Sequence, residues 1–156
     1  MRAQPTFASV PNVANCKATR RDTFFREMDR ATPWARIIPL IAPHDPKAGL
    51  GRRPLPLETR LRVYFLQQWF NLSDPQAEDM LYDSESMRRF ARVELGVDTV
   101  PDEFTILRFR HLLEQHQLTA KVFDAVRAVL EEQRLLLTAG TIVYATIIAA
   151  PSSTKS

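Results

Sequence analysis

One stretch of this chain reads as a β-strand, and it stands near the far end of a sequence otherwise punctuated for helices. Residues 141–149, TIVYATIIA, are rich in β-branched residues, lack helical periodicity, and lie between Gly140 and Pro151. The leucines at 135–137 are placed to pair with it as a hairpin across 138–140. A lone strand or hairpin does not make a stable sheet, and its unpaired backbone groups would form an exposed edge. The chain is therefore expected to be mainly α. The strand is either a minor element on the helical body or the opening of a second domain, and residue physics leaves both open.

The helices are announced by periodicity and caps. Leu57, Leu61, Tyr64, Phe65 and Trp69 recur at spacings of three and four and predict a helix over 57–70 with one apolar face. Ser73 with Gln76 forms a capping-box pattern, opening a helix through Ala77, Met80 and Leu81. Ser84 caps a short helix with Met87 and Phe90 inward and Arg88, Arg89 and Arg92 outward or sideways, and Gly96 is its expected stop. Pro101 and Asp102 start a helix through Leu107, Leu112 and Leu113, and Thr119 starts another through Val122, Phe123, Val126, Val129 and Leu130. Upstream, Phe24, Phe25 and Met28 predict a short helix near 21–30. A further helix should begin at Pro33 and kink or break at Pro39. Residues 1–19 read as irregular and 42–56 as a Pro- and Gly-rich loop.

Charge is distributed unevenly. Residues 1–60 hold 11 basic and 5 acidic residues, a net of +6, while 61–156 hold 10 and 13, a net of −3. Eight of the 11 prolines fall in the first part. A basic, Pro-rich lead-in suggests a region that meets a polyanion, although a solvated leader with excess arginine explains the same pattern. No apolar run is long enough to span a membrane, and the N-terminus lacks the apolar core of a signal peptide. The single cysteine, Cys16, excludes an internal disulfide and a Cys-cluster metal site. A cytoplasmic protein is the expectation.

Few side chains suggest catalysis. His44 falls in a loop, and His111 and His116, five apart on one helix, are separated by about 500° of rotation, so the three histidines predict no metal site. Asp102, Glu103, Glu131 and Glu132 read as helix-terminal or solvent-facing charges. Phe65, Trp69 and Phe70 read as core rather than as a base-stacking platform.

Six blocks in order carry a resemblance: MRAQPTFAS, RRDTFFREMDRATPW, LETRLRVYFLQQWFNLSDP, LYDSESMRRF, PDEFTILRFRHLLE and GTIVYATIIAAPSSTKS. Together they resemble the N-terminal part of bacterial insertion-sequence DDE transposases of the insertion-sequence-five family, with an InsH-like N-terminal domain. The resemblance implies a helical region that binds terminal inverted repeats on double-stranded DNA. A ribonuclease H-like catalytic domain whose carboxylate triad holds Mg²⁺ should follow. On this reading 1–19 is a basic leader, 20–134 the DNA-binding domain, and 135–156 the truncated start of the catalytic domain. Tyr144 occupies the position of the first triad Asp. A neutral phenol is a poor ligand for a hard cation, so the chain is expected to be catalytically inactive and to use no cofactor itself.

The resemblance also organises the DNA-contact candidates. Segments 73–83, 84–92 and 102–116 resemble a tri-helical unit with helix-turn-helix character, whose last helix would enter the major groove by its N-terminal half. That half offers Thr105, Arg108, Arg110 and His111. Arg can read guanine bidentately, and Thr can meet a phosphate or a thymine methyl. Phe104 departs from the Ser or Thr common in the family and would either pack inward or spoil a phosphate contact. Arg88 and Arg89 are expected phosphate partners, and Arg20, Arg21, Arg52 and Arg53 are candidate phosphate or minor-groove contacts. Expected partners are DNA, with a second copy or an intact transposase as further candidates. A pseudogene product without function, a DNA-binding regulator, and one half of a split enzyme remain alternative readings.

Overall fold

The computed structural model describes residues 17–47, 51 and 55–133. Among them are seven α-helices and no strand. They are α1 (Arg20–Ala31), α2 (Trp34–Ile41), α3 (Leu57–Phe70), α4 (Asp74–Asp83), α5 (Glu85–Ala91), α6 (Glu103–Gln115) and α7 (Leu118–Glu132), with a 3₁₀ turn over Ala42–His44. The protein is mainly helical, as expected. The strand and hairpin anticipated over 135–149, Tyr144, and the loop arginines Arg52 and Arg53 lie outside the described residues.

Side-chain caps set several boundaries. Ser73 accepts a hydrogen bond from the Gln76 N–H, and the Gln76 side chain accepts one from the Ser73 N–H, forming the anticipated box. The Ser84 hydroxyl accepts from Met87 N–H and the Asp102 carboxylate from Thr105 N–H. Thr19 and Asp22 form a second reciprocal box, which starts α1 at Arg20. Thr19, itself extended and outside the helix, is thus the N-cap of α1.

Three local expectations are corrected. Pro39 lies inside α2 without breaking it, and the helix continues to Ile41 before tightening into the 3₁₀ turn, so of the anticipated kink or break the break does not occur. The ring forfeits one backbone hydrogen bond, but Ile37 and Ile41 on either side are completely buried, and that packing holds the segment helical. The α5 helix stops at Arg92, not at Gly96. Arg92 takes a left-handed conformation with φ of 60°, and the Val93 N–H closes back on the Arg88 carbonyl. His44 sits in the 3₁₀ turn rather than in a loop.

The core has two lobes that share α3 and α6. In one, Val63 and Leu66 of α3 and Ile106 of α6 pack with Phe25, Ala77, Leu81, Met87 and Phe90. In the other, Leu61 and Tyr64 of α3 and Phe109 and Leu113 of α6 pack with Ile37, Ile41, Leu118 and Val122. α3, over the anticipated residues 57–70, is thus the central helix. Thr59, Arg62 and Gln67 are buried along with its apolar residues. An aromatic group joins α1, α3 and α5, with Phe25 stacked on Phe90 at 5.0 Å and Trp69 edge-on to Phe24 at 5.5 Å. Phe65, Trp69 and Phe70 therefore serve the core.

Candidate nucleic-acid interface

Arg62 is the charged centre of the fold, and its sequence pattern does not single it out. Its side chain is 2% exposed, and its Nη2 reaches Asp29 Oδ1 at 2.7 Å and Glu58 Oε1 at 3.1 Å. Its Nη1 donates to the Phe90 carbonyl at 3.0 Å. The guanidinium lies over Trp34 at 4.2 Å and over Phe90 at 5.0 Å. Ion pairing, hydrogen bonding and cation–π contact together make burial of this charge tolerable. The Glu58–Arg62 spacing of four is the available signal, but an apolar-face reading of α3 places Arg62 toward solvent.

The α4–α6 edge is dominated by acid. α4 carries Asp74, Glu78, Asp79 and Asp83 and no basic residue. The Asp74 carboxylate accepts from Gln67 at 2.8 Å and from Arg110 at 2.6 Å, and Arg110 also approaches Glu114 at 3.8 Å. Burial pushes the Asp74 carboxyl up, but the hydrogen bonds from Arg110 and Gln67 outweigh burial and hold it below its ordinary value. Arg110 is therefore an inter-helix strut. The Glu103 N–H is bound by Glu78 at 3.0 Å.

Beyond that network, α6 presents a different row to solvent. Phe104, Arg108 and His111 recur at spacings of four and three and are exposed, with half-buried Thr105 beside them. Phe104 is 62% exposed, so it does not pack inward. Arg108 has no hydrogen bond or ion pair among the described residues.

Two of the anticipated arginines are tied to α4 and α1. Arg88 Nη1 donates to the Leu81 carbonyl at 3.0 Å and to the Tyr82 carbonyl at 2.6 Å, closing the last turn of α4. Arg89 remains exposed while pairing with Glu85 at 2.9 Å and Asp22 at 3.4 Å. Hydrogen bonding by the Thr19 backbone N–H holds the Asp22 carboxyl low against its burial, and the Thr19 hydroxyl and the charges of Arg89 and Arg26 act in the same direction. Arg92, in the left-handed cap, reaches Glu58 at 3.1 Å. Arg20 is exposed at the first turn of α1, and the Arg21 guanidinium lies 5.3 Å from the Phe70 ring centre. Arg26 and Arg30 are exposed on α1, and sequence reasoning does not reach them as contacts.

His44 and His116, separated by 72 positions, stack at 4.2 Å between ring centres. Helical rotation alone could not show this pairing, because it arises from the 3₁₀ turn meeting the end of α6. No group of three or more His, Cys, Asp or Glu is placed to hold a metal ion among the described residues. No described helix is long and apolar enough to cross a membrane.

No solved structure matches the chain. The transposase domain family (DUF772) matches residues 13–112, from ahead of α1 to near the end of α6. The match covers more than half of the sequence and takes in both the α1–α5 region and the exposed row of α6; the chain belongs to this transposase-domain family.

Proposed function

We propose that residues 20–134 form a DNA-binding unit that engages the terminal inverted repeats of an insertion sequence of the insertion-sequence-five type. Bases are read by the outward row of α6, with Thr105, Arg108 and His111 as the contacting side chains. α4, α5 and α6 act in the manner of a helix-turn-helix unit. The observation that carries this reading is Arg108, an exposed arginine on a packed helix with no hydrogen bond or ion pair among the described residues. Its fork can meet the O6 and N7 of guanine. Membership of a transposase-domain family supports the polymer class. Arg20, Arg21 and Arg89 are backbone contacts in this scheme, with Arg52 and Arg53 as further candidates from the loop. Arg88 and Arg110 serve it indirectly, by fixing α4 against its neighbours.

The role proposed for this chain is binding, not strand cleavage. Residues 135–156 resemble the start of a ribonuclease H-like domain, and Tyr144 stands where that resemblance puts the first carboxylate. A phenol does not fit a Mg²⁺ site built from carboxylates. The partner is double-stranded DNA. Occupation of repeats in competition with an intact transposase is the biological consequence.

A mobility-shift titration across salt concentrations tests the reading, using a duplex that carries a terminal inverted repeat beside a random duplex of equal length. Tighter binding to the repeat is expected. Equal binding to both duplexes at every salt concentration would overturn it.

A further inference from the structure

The seam between α1 and α5 presents a layer of guanidinium groups over a layer of carboxylates. Asp22, Arg26 and Arg30 are spaced by four along one face of α1. Arg89 of α5 reaches across to Asp22, and Arg92 reaches Glu58, which shares Arg62 with Asp29 of α1. The pairs are asymmetric in depth. Arg89 and Arg92 are 63% and 59% exposed, while their partners Asp22 and Glu58 are 19% and 30% exposed. Asp22 and Glu58 anchor the two arginines from below, while Glu85, 77% exposed, also pairs with Arg89 at 2.9 Å. Arg26 and Arg30 are exposed with no hydrogen bond or ion pair among the described residues.

We infer that this seam is a phosphate-binding track for double-stranded DNA, formed by Arg26, Arg30, Arg89 and Arg92, and that it supplies affinity rather than sequence preference. The inference rests on the DNA-binding reading above and extends its backbone contacts on α1 and α5, beyond Arg20, Arg21 and Arg89, to Arg26, Arg30 and Arg92. Exposed guanidinium groups fit phosphate oxygens in a fork geometry. Their half-buried carboxylates fix two of the four in place, so less side-chain freedom is lost on binding. The acidic α4 cannot provide such a surface.

The test uses the full chain and fluorescence anisotropy with two DNA duplexes of about 30 base pairs, one carrying a terminal inverted repeat and one random, at several salt concentrations. The length spans roughly three helical turns, enough for both surfaces to engage. The variant is Arg26→Gln with Arg30→Gln, chosen because neither side chain holds the fold together. Arg36→Gln, an exposed arginine paired with Glu132 on the α2–α7 side, is the control. The double variant should weaken binding to both duplexes by a similar factor and make the salt slope shallower by about 1–2, at about 0.9 for each phosphate no longer neutralised. The control should keep the wild-type slope, and melting followed by circular dichroism should show the double variant folded. A wild-type slope in the double variant, or an equal loss in Arg36→Gln, overturns the seam while leaving the DNA-binding reading intact. Failure of the wild-type chain to bind any duplex overturns the seam together with the reading beneath it.

Discussion

The α1–α5 seam and the α4–α6 edge both contain arginines, but they use them in opposite ways. At the α4–α6 edge, Arg110 is drawn onto the sheltered Asp74, and its Nε is buried without a partner among the described residues. Its charge is consumed in joining two helices. At the seam, Arg89 and Arg92 lie largely exposed above the sheltered Asp22 and Glu58. Counting arginines along the sequence cannot separate these cases. The acid is the deeper member in all three pairs; how far the arginine itself stays exposed, 36% for Arg110 against 63% for Arg89 and 59% for Arg92, decides whether charge is displayed or consumed. On the proposed DNA-binding reading, the contrast also divides labour. Phosphate contacts supply affinity without sequence information, whereas base contacts supply discrimination. The exposed row of α6 is suited to the second role and the seam to the first.

The harshest way to break the comparison is Arg62→Ala. It removes the cation between Trp34 and Phe90 and leaves Asp29 and Glu58 without their shared partner. A loss of about 3–5 kcal/mol is expected from breaking a buried pair on one side. Urea unfolding would measure it. A loss below about 1 kcal/mol, the range of an exposed pair, would mean that Arg62 is not the post under the seam.

Asp74→Asn acts on the other edge with a smaller effect, of about 1–3 kcal/mol at neutral pH, from the weakened charge-assisted bond to Arg110. The pH dependence gives a sharper signature. The Asp74 carboxyl is held below its ordinary value of 3.8 in the folded chain, so its contribution is present above that pH. It is lost as the pH falls through the lowered folded value. The stability difference between wild type and Asp74→Asn should therefore shrink below about pH 4. A difference that stayed constant into acid would remove the ion pair from the explanation.

Arg88→Ala separates a helix-closing arginine from a phosphate-binding one. Loss of its two carbonyl hydrogen bonds at the end of α4 should cost about 1–2 kcal/mol by thermal unfolding. The salt slope should change less than it does on loss of seam arginines. The reverse pattern would return Arg88 to the phosphate contacts.

Much of this architecture is legible in the sequence because it is encoded locally. The α3 boundaries follow from apolar spacing, and the starts of α4, α5 and α6 follow from Ser73, Ser84 and Asp102, whose side chains bond three residues on. Signals that depend on distant packing are not legible. Arg62 looks like an outward charge until Asp29, Trp34 and Phe90 close around it. Pro39 looks like a break until Ile37 and Ile41 are seen buried on either side. His44 and His116 meet only through the fold. Gly96 looks like a better helix stop than Arg92, because a left-handed arginine is unfavourable in isolation. Its ion pair with Glu58 and the Val93–Arg88 closure accompany that conformation. Among the contact candidates, the sequence pattern groups Arg88, Arg89, Arg108 and Arg110, and burial divides them into struts and displayed charges.

The most direct test of sequence reading by α6 is the ratio of affinities for a terminal-repeat duplex and a random duplex, measured for wild type and for Arg108→Ala at one fixed salt concentration. Arg108 holds nothing together among the described residues, so the variant should melt as wild type does. The ratio should fall about 5- to 100-fold, corresponding to about 1–3 kcal/mol for removal of a bidentate base contact. A ratio unchanged by the substitution, with wild type showing a clear preference, would contradict the assignment of base reading to the exposed row of α6.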